Sequence, residues 1–291
     1  MAMTETSAVL IILNYNDKNT TQTLVNAIKG YTCLHKIIVV DNSSSDGSFA
    51  YLKKTLTSDK VDLIQAPENG GYAKGNNFGI RYAIKTYAPD YLFIANPDIM
   101  VKEPVLSVIL KTMEQQPDYG IMSCLVNQGY NVWNLPGFAG MIESLFLLWF
   151  NLDKYMIRKK LLSSANALEP VGVIEGSFFC IKKTAYEAIG GLDERTFLYA
   201  EEIILSRRLS KKDLKAGILT KERFDHFHSV SIKKAYRSSK AKAFHNFYNS
   251  FRIYNKEYLH TSPLQDGIFA AAYKLAYIER IIYDLVMRIK R

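Results

Sequence analysis

Within the first hundred residues, four apolar runs of strand length alternate with helical stretches, and each run ends in polar residues. The runs are AVLIIL (8–13), KIIVVD (36–41), VDLIQA (61–66) and YLFIA (91–95). Their continuity and β-branched content suit strands buried on both faces. Between them, Asn19–Lys29, a segment running to about Leu56 that Ser45 or Asp46 can cap, and Ala73–Tyr87 have helical spacing. Glu103–Gln116 follows, with Pro104 in its first turn. Strand and helix alternating over short links predict an α/β fold, with a mostly parallel sheet covered on both sides.

The rest of the chain is less regular at first. Ile121–Gly140 is rich in Gly, Asn and Pro and reads as loop and short strand. Residues 171–182 read as two short strands around Gly176. Thr184–Ile189 is a short helix stopped by Gly190-Gly191, and Phe197–Leu209 is a helix. Beyond Ser231 the pattern is wholly helical. The expected division is residues 1–230 as the main domain and 231–291 as a helical extension. A chain of 291 residues, 48% hydrophobic, has room for one large domain with such an appendage, or for two small domains.

Three cysteines, Cys33, Cys124 and Cys180, stand far apart, in no metal-ligand spacing, and read as reduced thiols of a cytoplasmic protein. The N-terminus has no basic region before its short apolar run, so no signal peptide is expected. No stretch reaches the length of a membrane span; the longest candidate, Phe138–Phe150, is interrupted by Glu143. The formal charge is +9, and it is regional: from Val230 onward twelve Lys and Arg stand against four acids. Without a nucleic-acid motif, that basicity does not argue for nucleic acid as a partner.

In open α/β sheets, ligands sit beyond the carboxyl ends of the strands. Those positions hold Asn14-Tyr15-Asn16, Asp41-Asn42-Ser43, Asn69-Gly70-Gly71 and Asn96-Pro97-Asp98. Asp41 can accept hydrogen bonds from a base or ribose. Gly70 and Gly71 let the backbone approach a ligand, and Lys74 can meet a phosphate. Each turn taken alone is also ordinary turn chemistry; four in succession argue for a nucleotide. Asp98, fixed directly after a strand, can bind Mg²⁺ or Mn²⁺, hard cations that bridge phosphates.

The motifs VLIILNYN, IIVVDNSSSDGS, ENGGYAKGNNFG, LFIANPD, GGLDERTFLYAEE and HFHSVS, in that order over roughly residues 8–232, resemble glycosyltransferase family 2 with the GT-A fold, and its rhamnosyltransferase-like members in particular. The resemblance implies an inverting, metal-dependent transferase of bacterial surface-polysaccharide synthesis. Asp41 resembles the base-binding aspartate, and the loop Asn69–Asn77 the segment along ribose and phosphates. In NPD the family's first acid is Asn96, so Asp98 stands as the single carboxylate ligand of Mg²⁺ or Mn²⁺. A histidine can complete that site; the spacing favours His226, with His228 as the alternative. Glu201-Glu202 resembles the family's acidic pair, whose second member is the base. Glu202 would deprotonate the acceptor, with Glu201 binding the acceptor or supporting Glu202. Glu where Asp is commoner, and Ile204 where an acid often follows, depart from the pattern.

The resemblance implies a nucleotide-diphosphate sugar donor, with rhamnose from dTDP favoured over galactofuranose, glucose or galactose from UDP. The acceptor would be a saccharide or a lipid-linked one. A sugar nucleotidyltransferase is the competing class, but NYNDKN replaces the Gly-rich basic loop it needs after the first strand. Apolar residues at helical spacing from Ile268 to Ile289, with Lys274, Arg280, Arg288, Lys290 and Arg291, suit either an anionic membrane surface or a homodimer contact. The first choice would make the protein peripheral on the inner face of the cell membrane. Phe138–Phe150 is a second candidate for lipid or acceptor contact, or simply a buried helix.

Overall fold

In the computed structural model, which describes residues 7–227 and 240–289, the four apolar runs become parallel strands. They are β1 (Ala8–Asn14), β2 (Lys36–Asp41), β3 (Val61–Gln65) and β4 (Tyr91–Ala95). The links carry α1 (Lys18–Ile28), α2 (Ser48–Thr55) and α3 (Gly71–Tyr87). The N-cap of α2 is Gly47, one residue past the expected positions, and the Asp46 carboxylate accepts the Ser48 N–H at 2.9 Å. After β4 come β5 (Ile99–Met100) and α4 (Glu103–Gln115).

The middle is more regular than its composition implies. It holds β6 (Tyr119–Val126), β7 (Val132–Trp133), α5 (Phe138–Glu143) and α6 (Leu147–Leu162). Every residue of β6 is buried. Gly120 and Ser123 had masked it as loop, but the Ser123 hydroxyl donates to the Phe178 carbonyl at 2.7 Å and so tolerates burial. Next come β8 (Leu168–Val171), β9 (Val173–Ile174), β10 (Phe178–Lys182) and α7 (Lys183–Ile189), which ends on the left-handed Gly190. The helix expected at Phe197–Leu209 is shorter: α8 spans Glu201–Ser210. Tyr199 and Ala200 have φ of 73° and 70°, so the chain turns sharply before the helix begins. Strand β11 (Lys215–His226) has no long apolar run to mark it; its second half is charged and shifts register between Leu219 and Arg223.

Among the described residues the main sheet has nine strands in the order β3-β2-β1-β4-β10-β6-β11-β5, with β8 also on β11. Strand β10 runs antiparallel to both β4 and β6, and β11 runs parallel to β6. One apolar layer, with Leu24 and Ile28 of α1 and Leu106 and Ile109 of α4, covers one sheet face. Ile80, Tyr186 and Leu205 belong to the layer on the other.

The helical extension consists of α9 (Lys240–Tyr258) and α10 (Pro263–Ile289). Phe251, Tyr254, Phe269 and Ala276 pack with Met141 of α5 and Ile204 of α8 in a third apolar cluster. The proposed boundary at 230/231 lies outside the described residues. Among those residues no helix is long and apolar enough to cross a membrane.

Candidate active site

The four polar strand ends meet along one edge of the sheet, as β1 and β2 show most directly. Asn14 and Asp41 are register partners on these parallel strands. The Asn14 amide donates to Asp41 at 2.8 Å and to the Ser44 hydroxyl at 3.2 Å, and accepts from Thr21 at 2.8 Å. The Ser44 N–H donates to the other Asp41 oxygen at 3.0 Å. Asp41 is thus buried but well supplied with donors, which holds a carboxylate in place. Tyr15, 44% exposed, stands beside it with its ring available for stacking. Asn16, at φ 54°, accepts the Ser45 N–H at 2.9 Å and closes this turn.

Asn69 is tied to the same edge, its carbonyl oxygen accepting from the Asn42 amide at 3.0 Å and the Gly71 N–H at 3.2 Å. Asn42, which also donates to the Gly71 carbonyl at 3.2 Å, is a positioning residue that sequence reasoning passed over as turn chemistry. Gly70 precedes α3 and Gly71, at φ 83°, begins it. A Cβ at Gly71 would lie 2.0 Å from the Phe197 carbonyl oxygen, so no other residue fits. Lys74, one turn into α3, is part-exposed and paired with Glu68. Asn77 differs from its neighbours. It is buried, donating to the Leu192 carbonyl and Glu194 and accepting from Tyr186 and the Leu192 N–H. The structure places it as a brace between α3 and residues 186–194, its side chain committed to protein partners.

Asn96 sits beyond β4, its N–H donating to the Ser177 carbonyl at 2.8 Å. Asp98 and His226, far apart in sequence, are both buried, with Nε2 3.4 Å from the Asp98 carboxylate. The His226 Nδ1 lies 3.8 Å from Glu175. Burial opposes a charge on this imidazole, but hydrogen bonding to Asp98 and the charge of Glu175 outweigh it and raise the pKa above its ordinary value. His228 lies outside the described residues. Among the described residues no group of three or more His, Cys, Asp or Glu side chains is arranged to hold a metal ion. Asp98 and His226 alone offer a carboxylate oxygen and an imidazole nitrogen, a donor pair that suits a divalent cation whose other ligands come from phosphate and water.

Glu201 and Glu202 open α8, where the helix dipole favours negative charge. Their environments differ. Glu202 accepts the Gly176 N–H at 3.2 Å and lines a cavity of about 830 Å³. Glu201 does not line that cavity; it is 5% exposed, and its Oε2 has no hydrogen-bond partner among the described residues. Burial and the charge of Glu202 push Glu201 up to about 8. Burial raises Glu202 as well; the Gly176 N–H and Lys154 work against that rise and Glu175 with it. Tyr72 donates to the Gly176 carbonyl at 2.5 Å. Burial and the nearby glutamates hold its phenol well above the usual range, so it stays a donor.

The cavity walls are aromatic, with Trp133, Phe150, Tyr199, Phe247 and Tyr277 among them. Lys154 lies 4.0 Å and 4.5 Å above the Phe150 and Trp133 rings. Glu175 lines the cavity as well, between the Asp98–His226 pair and Glu202. Only its place beside Gly176, between two short strands, marked it in the sequence. The strand-end loops thus stand on one side, a carboxylate with a raised proton affinity on the other, and the Asp98–His226 pair near Glu175.

Known proteins show which family the chain belongs to. The profile described as "Glycosyl transferase family 2" matches residues 9–189. A low-salt glycan biosynthesis hexosyltransferase of Haloferax volcanii is 29% identical over 250 residues, which cover 84% of this chain and 75% of that one. A rhamnosyltransferase of Escherichia coli, WbbL, is 26% identical over 211 residues, covering 69% and 76%. Among solved structures, a mannosyltransferase of Pyrobaculum calidifontis in complex with GDP-Man and Mn²⁺ superimposes with a TM-score of 0.60 at 16% identity, covering 93% of this chain and 73% of that one. The chain belongs to glycosyl transferase family 2, and its sheet, with antiparallel β10 set among parallel strands, is the GT-A fold.

Proposed function

We propose that this chain is an inverting glycosyltransferase. It moves a sugar, with rhamnose favoured, from a nucleotide-diphosphate donor to a hydroxyl of a saccharide or lipid-linked saccharide in surface-polysaccharide synthesis. The observation that carries the reading is the position of Glu202. Its carboxylate opens into an 830 Å³ aromatic-walled cavity. The nucleotide-compatible strand ends lie across Gly176 from it.

In this reading Asn14, Asn16, Asp41 and Asn69 shape the nucleotide pocket, with Tyr15 stacking on the base. Gly70 and Gly71 bring the α3 N-terminus to the diphosphate, and Lys74 exchanges Glu68 for a phosphate. Asn96 sets the turn before Asp98. Asp98 and His226 would hold Mg²⁺ or Mn²⁺, which would supply positive charge against the leaving diphosphate. Glu202 takes the acceptor proton as that oxygen attacks the anomeric carbon; the carbon–phosphate oxygen bond breaks and the nucleoside diphosphate leaves. One displacement with one base gives inversion. Sugar rings stack well on aromatic walls, which suits a saccharide acceptor. The rhamnosyltransferase relative supports rhamnose as the transferred sugar.

The test is a donor screen with Mn²⁺ present and absent. Thermal shift reads binding, and release of nucleoside diphosphate with an acceptor reads transfer. A dTDP-rhamnose response supports the favoured reading. A response to UDP-galactofuranose, UDP-glucose or UDP-galactose alone replaces the sugar. Pyrophosphate release would point to a nucleotidyltransferase instead.

A further inference from the structure

Helix α6 is apolar on its outside. At 100° per residue, Leu148, Leu152, Tyr155, Met156 and Leu162 fall on one continuous stripe, and all are exposed, Leu148 to 70%. The opposite side already packs inward through Ile157 and Leu161. A helix apolar on two sides needs a second partner. Helix α10 repeats the pattern. Leu264, Ile268, Leu275, Ile278 and Ile282 are exposed along one stripe, while Phe269, Ala272 and Ala276 are buried behind it.

The two helices are joined. Glu279 of α10 accepts the Leu147 N–H at the start of α6, at 3.1 Å. Arg280 donates to the Leu145 carbonyl just before it. Trp149 of α6 and Ile281 and Tyr283 of α10 are both exposed and part of the cavity lining. They put the mouth of the cavity between the two stripes.

Charge identifies the occupant. Exposed Lys159 lies within the α6 stripe, Lys160 beside it, and exposed Lys274 beside the α10 stripe. The acids of these helices whose side chains are described are engaged in other contacts, although exposed Asp153 lies on the same side of α6 as Lys160 and Glu279 lies beside the α10 stripe. Asp153 lines the cavity, Glu279 is held by Leu147, and Asp266 accepts from Thr261. Apolar surface flanked by lysines, whose stems lie flat while the ammonium groups reach outward, matches the interfacial layer of an anionic bilayer. A second protein copy would gain nothing from the lysines.

We propose that α6 and α10 together form a platform that seats the enzyme on an anionic bilayer, with the cavity mouth facing the lipid headgroups. The platform stands on the exposed stripes alone. That it delivers a membrane-borne acceptor to Glu202 rests on the reaction proposed above.

The test is co-sedimentation of the full chain with phosphatidylcholine vesicles, with and without phosphatidylglycerol. Two double variants, Leu148→Glu with Met156→Glu and Leu275→Glu with Ile278→Glu, avoid the cavity lining. A gentler pair, Leu148→Gln with Leu275→Gln, covers the case of a folding defect. The expected result is binding to the phosphatidylglycerol vesicles only, weakened by salt. Each charged double variant should reduce binding about tenfold or more with an unchanged thermal midpoint, and the gentler pair should fall between. Absence of vesicle binding in the wild type overturns the platform. So does equal binding by the variants, or a dimer that these substitutions dissociate while vesicle binding persists. Transfer to a soluble saccharide is assayed separately. Its absence in a chain that still binds vesicles counts against the proposed reaction and leaves the platform standing.

Discussion

The backbone N–H of Gly176 donates to the Glu202 carboxylate at 3.2 Å, so the strand link before β10 fixes the direction in which the first turn of α8 presents its acid. Adjacent residues on a helix point about 100° apart. Glu202 meets the cavity and Glu201 the interior. Glu202→Gln keeps the Gly176 hydrogen bond and removes the base. It should lower kcat by roughly 10²-fold or more with donor affinity little changed. Glu201→Gln should retain most of kcat. Steady-state assays at saturating donor check the pair, and the reverse order would move the base to Glu201.

Glu201 also makes a stability prediction. Its carboxyl is pushed from 4.5 up to about 8 in the folded chain. The folded state therefore binds more protons than the unfolded one between those values, and stability falls as pH rises through that window. Glu201→Gln removes the penalty. Its advantage over wild type should be absent below pH 4.5, grow with pH, and level off above about pH 8. Each kcal/mol recovered raises the thermal midpoint by roughly 2–4 °C. Denaturation followed across pH reads the trend; a gain that is constant with pH would contradict it.

For the cation pair, Asp98→Ala should abolish the part of nucleoside-diphosphate stabilisation that depends on Mn²⁺ and leave the metal-independent part. His226→Ala should weaken the same increment without removing it, because the carboxylate remains. Thermal shift titrations with nucleotide, with Mn²⁺ and with both separate these terms. An unchanged Mn²⁺ increment in Asp98→Ala would exclude that carboxylate as a ligand.

Gly71→Ala places a Cβ 2.0 Å from the Phe197 carbonyl oxygen at a φ of 83°. Left-handed strain alone costs about 1–3 kcal/mol, and the contact adds to it. Because Tyr72 N–H donates to that same carbonyl at 3.0 Å, the loop before α8 must shift. Donor binding and turnover should both fall, along with stability. Gly30→Ala, where a Cβ meets nothing within 4 Å, is the control and should be nearly neutral.

The first sheet edge was clear in the sequence, because β1, β2 and β4 are uniform apolar runs whose ends must project polar residues at one edge. Asp41 and Asp98 were legible for that reason, whereas Glu201-Glu202, at the start of α8, were marked only by the motif GGLDERTFLYAEE. The elements around the cavity were not clear. Strand β6 hides its burial behind Gly120 and Ser123, and β11 turns charged halfway along. Helix α6 has no single apolar face, so periodicity could not find it. Glu175 and Lys154 sit on these less legible stretches. Asn77 is a separate case. An asparagine in a nucleotide loop looks like a ligand contact until Tyr186, Leu192 and Glu194 are seen to surround it.

His226 stands opposite Ile99, and Asp225 opposite Met100, in the antiparallel β5–β11 ladder. The meeting of His226 with Asp98 is therefore set by counting along backbone hydrogen bonds, with no loop to absorb an error. One residue added or removed between Arg223 and His226 would turn the imidazole to the other face of the strand. Chimeras between relatives should tolerate many side-chain exchanges here and almost no change of length. The left-handed turn at Asp213, ahead of β11, is the safer place to join two chains.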